Sequence, residues 1–137
     1  MGTRTRQRAI AIGAAGVMLI GLAVPASAGF KSGSYSGETT QLDGAGDPYP
    51  VLLSVNRKKT KVTGFVEGDR GEAPCDAPIE WQVDAKLKQS GKFADKDEVY
   101  GYVKGKFEGR KASGTARFIF EPNGCDSGVI DWAAGKN

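Results

Sequence analysis

Apolar and polar side chains alternate along most of this chain with a period of two. The clearest run is Ile79 to Leu87, where Ile79, Trp81, Val83, Ala85 and Leu87 are separated by Glu80, Gln82, Asp84 and Lys86. Such spacing puts every second residue on one face, as in an antiparallel strand with one buried and one wet side. The same reading gives seven further segments. They are Ser32 to Thr40, Pro50 to Val55 (Val51, Leu53 and Val55 together) and Lys61 to Val66. A short one follows around Gly91 to Ala94. Val99 to Phe107 comes next, with Val99, Val103 and Phe107 on one side, then Ala112 to Phe120 and Gly128 to Ala134. No segment has a convincing helical period.

With no helix to cover the apolar face, the sheet must cover itself. The expectation is an all-β domain, a small up-and-down antiparallel β-barrel of about eight strands, with a β-sandwich as the alternative. Glycines inside the segments (Gly33, Gly37, Gly64, Gly101, Gly105, Gly114) permit sharp coiling, and Tyr35, Trp81, Phe107, Phe118 and Trp132 are large enough to fill the space they leave.

Residues 1–28 read as a secretory signal peptide. Arg4, Arg6 and Arg8 form the basic start, Ala9 to Val24 is uncharged and mostly apolar, and Ala26-Ser27-Ala28 is a small-x-small cleavage site. A membrane anchor is the alternative, but a span needs about 20 apolar residues and this run is shorter and followed at once by the cleavage pattern. The rest, 29–137, is expected to be a single secreted domain without a transmembrane anchor, and a monomer. Two cysteines, Cys75 and Cys125, allow one pairing, and export favours a disulfide over a free thiol.

Charge and residue types then narrow the chemistry. Removing the three leader arginines from the 19 basic residues leaves 16, equal to the 16 acidic ones. That argues against binding nucleic acid by bulk charge. There is no histidine, which excludes Ser-His-Asp triads, Cys-His pairs and His-ligated metals. No cofactor is implied. Asp126-Ser127-Gly128 and Gly33-Ser34-Tyr35-Ser36-Gly37 superficially resemble nucleophile motifs but lack their partners and spacing. No catalytic residue is singled out, and an enzyme is not expected. A hydrolase with a carboxylate pair stays open as an alternative. Asp95-Lys96-Asp97-Glu98 has closely spaced oxygen ligands without the glycine and distal glutamate of a calcium loop, so no metal is assigned.

A meander also sorts the loops. Connections at 41–49, 67–78, 95–98 and 121–127 fall at one end, those at 56–60, 88–90 and 108–111 at the other. Both cysteines fall at the first end. That end carries eleven acids (Asp43, Asp47, Glu67, Asp69, Glu72, Asp76, Asp95, Asp97, Glu98, Glu121, Asp126) against Arg70 and Lys96. The opposite end with its strand tips carries ten bases against Glu108: Arg57, Lys58, Lys59, Lys61, Lys86, Lys88, Lys92, Lys106, Arg110 and Lys111. Solvated turns attract charge without any partner, and charge discourages edge pairing. Alternatively, Arg57-Lys58-Lys59 with Arg110-Lys111 contacts an anion. Tyr100 and Tyr102, two apart on one predicted strand face, are candidates for stacking on sugar rings.

Several motifs occur together: Gly33-x-Tyr35-Ser36-Gly37-x-Thr39, Val62-x-Gly64-Phe65, Val103-x-Gly105-x-Phe107, Ala112-Ser113-Gly114-Thr115-x-Arg117 and Cys125-Asp126-Ser127-Gly128 before Trp132-x-Ala134. In this order they resemble small exported all-β proteins of high-GC Gram-positive bacteria. The resemblance implies export, the β fold and the disulfide, and brings no functional residue. The first and last segments are also similar in architecture to avidin-type and lipocalin-type barrels. The expected function is a secreted non-catalytic binding or surface module, engaging an anionic envelope component through its basic end. The other reading is an extracellular protein-binding or inhibitor domain using the disulfide-braced loops.

Overall fold

A computed structural model describes residues 29–137; the leader read over 1–28 lies outside them. The strands are β1 (Gly33–Leu42), β2 (Pro48–Val55), β3 (Lys61–Gly68), β4 (Ile79–Lys86), β5 (Lys92–Asp97), β6 (Gly101–Glu108), β7 (Lys111–Phe120), the two-residue β8 (Cys125–Asp126) and β9 (Ile130–Lys136). Their order in the sheet is β4-β3-β2-β1-β9-β7-β6-β5, all antiparallel, with β8 on β7. The first and last strands pair, Trp132 opposite Thr39 through Lys136 opposite Tyr35. The sheet therefore rolls into a nearly closed up-and-down barrel of eight strands, and the sandwich alternative falls away. One seam stays open, between β4 and β5.

Several boundaries differ from the pattern-based expectation. β5 runs on to Asp97, because the ladder to β6 holds the polar stretch Asp95-Lys96-Asp97 that alternation alone does not mark. β6 begins at Gly101. Asp97 Oδ1 accepts hydrogen bonds from the backbone N–H of Val99 (2.8 Å) and Tyr100 (3.1 Å), which turns the chain there. Val99 is consequently exposed and not on the core face. The last strand starts at Ile130 rather than Gly128.

Inward residues of all eight strands build one core. At one end it is an aromatic cluster. Phe107 lies 4.8 Å from Tyr35 edge-on, 5.7 Å from Phe93 and 6.3 Å from Phe30, while Phe93 is 6.1 Å from Trp132. Such rings contribute large buried area and favourable tilted contacts. The Trp132 indole N–H donates to the Lys104 carbonyl at 3.1 Å. Coiling this tight needs glycine at two kinds of place. At Gly105 a Cβ would run into the Trp132 ring. At Gly64, where φ is +132°, it would meet the Leu52 carbonyl.

Meander parity sorts the connections as expected. Those at 43–47, 69–78, 98–100 and 121–129 form the mouth, and those at 56–60, 87–91 and 109–110 form the opposite end. The opposite end is sealed by a feature that alternation does not show. Phe30 bridges Gly109 in parallel, Lys31 N–H donates to the Gly109 carbonyl (3.2 Å), and Phe30 is 1% exposed. At the mouth, Cys75 and Cys125 form a disulfide with Cα atoms 5.6 Å apart, tying the third connection to the last.

Gly64→Ala should lower stability by more than about 2 kcal/mol. Gly44→Ala, with nothing near the added Cβ, should change it by less than about 0.5 kcal/mol; urea midpoints compare the two. Replacing both cysteines should cost about 4 kcal/mol on the chain-entropy estimate for a separation of 50 residues.

Candidate functional site

The sealed end brings the predicted basic residues near one another. In the turn after β2, Asn56 Oδ1 accepts from the N–H of Thr60 and Lys61, which presents Arg57 and Lys58 to solvent. Lys59 adopts φ 58°, left-handed backbone that disfavours a side chain by about 1 kcal/mol. Its Nζ sits 5.3 Å from the Phe30 ring centroid. On the other side Phe30 joins Gly109, next to Arg110 and Lys111. Two turns some fifty residues apart thus meet through one aromatic residue. Lys31 and Lys136 flank them, and Lys136 N–H donates to the Arg110 carbonyl (2.8 Å). Beneath, the Tyr35 hydroxyl donates to the Lys31 carbonyl at 2.6 Å. Burial pushes the Tyr35 phenol up, partly offset by that hydrogen bond and by Arg110.

The mouth is built differently. Asp69 is 8% exposed. Its carboxylate accepts from Gln41 Nε2 (2.9 Å), the Tyr49 hydroxyl (2.9 Å) and the Gly71 N–H (3.0 Å). It therefore organises the third connection and does not add to the outward acidic surface, as the sequence count assumed. Burial, together with the hydrogen bond to Asp69 and the charge there, pushes the Tyr49 phenol up to about 12. The next residue, Arg70, is half-buried. Its Nε donates to the Ile119 carbonyl (3.2 Å), and its guanidinium lies 5.8 Å from the Tyr100 ring and 5.7 Å from the Phe120 ring. Those two rings stack on each other within 4° of parallel. Among the described residues no carboxylate pairs with Arg70.

Beside Arg70 a cleft of about 420 Å³ opens along the seam. Ile79, Glu80, Trp81 and Gln82 of β4 form one wall, Asp95, Lys96 and Asp97 of β5 the other, and Arg70 and Tyr100 the mouth side. Asp95 shares the inward parity of Phe93, and its Oδ2 accepts the Asp84 N–H at 2.9 Å across the seam. By strand alternation the backbone groups of Gln82 and Glu80 face the seam with that of Asp84. Trp81 is half-buried and packs 6.2 Å from Phe118.

The predicted stacking pair does not form one platform. Tyr100 lies in the turn before β6 and stacks at the mouth, whereas Tyr102 lies on the outer face of β6 with Lys104 Nζ 5.2 Å from its ring. The residues missed by sequence reasoning are Trp81, assigned there to the core, and Arg70, counted only as a stray cation. Their signal was weak: Ile79 and Trp81 sit at the strand end that the barrel leaves uncovered. The oxygen ligands of Asp95 to Glu98 do not converge; among the described residues no group of three acidic or sulfur side chains could hold a metal ion. Ser127 Oγ is occupied by the Phe118 N–H (2.9 Å) and the Gly128 carbonyl (2.7 Å). Its neighbour Asp126 forms a two-pronged pair with Arg117, one bond being 3.0 Å from Nε. The hydrogen bonds from Arg117, then from the Gly128 N–H, hold the Asp126 carboxyl down to about 2.

These groups set opposite limits. A carboxylate held low contributes stability that is full above pH 4 or so and is lost as pH falls toward 2, so Asp126→Asn should flatten the acid limb of a stability–pH curve. A phenol held high contributes below pH 10 or so and its contribution is lost as pH rises through 12. In tyrosinate absorbance titration Tyr49→Phe should remove a step near pH 12.

Comparisons with protein-family models, with curated proteins and with solved structures returned no match, so the chemistry of both ends rests on this chain's own residues.

Proposed function

We propose that the chain is a secreted, non-catalytic binding module that holds an anionic polymer of the cell envelope against its sealed, basic end. The observation that carries this reading is the meeting of the Arg57-Lys58-Lys59 and Arg110-Lys111 turns at Phe30. Lys59 keeps its side chain at a left-handed position where glycine or asparagine is the easier choice, and strain of that kind marks functional sites. The opening at this end is plugged by Phe30, 1% exposed, which suits a polymer or headgroup layer better than a substrate buried in the barrel. Export rests on the leader read over 1–28, and the Cys75–Cys125 disulfide fits an oxidising compartment. Among the described residues no helix is long and apolar enough to cross a membrane. Charge is the means of contact, so its reach is about 8–10 Å at physiological salt.

Reversing all five charges (Arg57, Lys58, Lys59, Arg110 and Lys111 to Glu) should cut retention on isolated cell wall and on phosphatidylglycerol vesicles at least about tenfold. Wild-type retention should fall as salt rises. Unchanged retention of the reversed variant ends the proposal. Lys59→Gly relieves the backbone but loses the contact with Phe30, so its stability should stay within about 1 kcal/mol while retention drops.

A further inference from the structure

We infer that the cleft along the open seam is a second binding site, for a neutral oligosaccharide, with Trp81 and Tyr100 offering ring surfaces and Arg70, Asp95 and Asp97 fixing hydroxyl groups. This site lies at the mouth and does not depend on the role of the sealed end.

The cleft has a structural cause. β4 and β5 are neighbours in the chain, yet they do not form a ladder. The Asp84 N–H, which a strand partner would otherwise engage, is taken by the Asp95 carboxylate. The edges do not zip there, and the gap exposes Trp81, whose strand neighbours Val83 and Ala85 are buried. A half-buried indole beside a gap of about 420 Å³ falls within the size range of small-molecule sites, which run from about 300 to 1,000 Å³.

Charge selects the ligand class. The mouth is rich in acids, but its two cations in that set, Arg70 and Lys96, both line this cleft together with Glu80, Asp95 and Asp97. An anionic ligand would face three carboxylates, and a cationic one would sit against both bases. A neutral polyol can use both signs at once, its hydroxyls donating to carboxylates and accepting from the guanidinium and ammonium groups. The polar groups are also pre-set. Arg70 is held by the Ile119 carbonyl and two rings, and Asp97 by the turn N–H groups of Val99 and Tyr100. Binding then costs little ordering of side chains. Apolar ring faces on Trp81 and Tyr100 complete the pattern of stacking surface plus a few directed polar groups.

Titration with chitotriose, cellotriose and maltotriose tests this, with trilysine and trigalacturonate as charged counterparts. Trp132 is 2% exposed, so a change in indole fluorescence reports Trp81. At least one neutral trisaccharide should give a saturable change. Trp81→Phe should abolish that signal, and Arg70→Gln and Tyr100→Ala, which remove no core side chain, should weaken calorimetric affinity at least about tenfold. The five-charge variant of the sealed end should bind the sugar as wild type does, which separates this site from the function proposed above. The inference is overturned if no neutral trisaccharide saturates by about 10 mM, if a charged probe binds more tightly than all three, or if the folded Arg70→Gln and Tyr100→Ala proteins keep full affinity.

Discussion

The ladder between the first and last strands is the constraint on which this molecule depends. A sheet without covering helices has one apolar face and two edges to hide. Pairing β1 with β9, Thr39 against Trp132 and Tyr35 against Lys136, curls the apolar face inward and removes two edges in one step. It also places Tyr35 and Trp132 within the same aromatic cluster as Phe93 and Phe107, which glycines at close approaches make room for. The two edges that remain, β4 and β5, are brought face to face at the seam. Closure and seam are therefore two results of one pairing.

The two ends of the barrel solve the problem of ending in contrasting ways. At the sealed end the strap residue Phe30 fills the opening, and backbone groups around it are satisfied by Lys31, Gly109 and the Tyr35 hydroxyl. Among the charges left for the surface are Arg57, Lys58, Arg110 and Lys111, with Glu108 beside them. At the mouth the interior is finished by a polar network on Asp69 and by the disulfide, and the apolar wall breaks off at Ile79 and Trp81. The exposed groups differ accordingly: charged turns around a plugged end, directed polar groups around a gap.

Much of this is legible in the sequence. Strict alternation over Ile79 to Leu87 and the order of short strands carry the barrel, and odd-and-even counting of loops carries the disulfide and the separation of charge. The misreadings have local causes. Asp69 counts as a surface acid until Gln41 and Tyr49, far away in the chain, are folded against it. Tyr100 matches Tyr102 in spacing, but the capping carboxylate of Asp97 bends the chain between them and β5. Phe30 precedes the first alternating segment and lies in no alternating run, so nothing local marks it as the plug. Trp81 obeys the core pattern perfectly; only the missing β4–β5 ladder, a property of the closed sheet, leaves it half-uncovered.

Asp95 has a consequence for many molecules together as well as for one. Bare strand edges invite other chains to add on, and growth of that kind has no natural stop. Here one of the donors an incoming strand would use, the Asp84 N–H, is already taken by a carboxylate from the molecule's own opposite lip. A newcomer would have to displace it and leave the Asp95 carboxylate without that hydrogen bond. One short acidic side chain thus occupies, from within, a backbone donor that edge-to-edge growth would need.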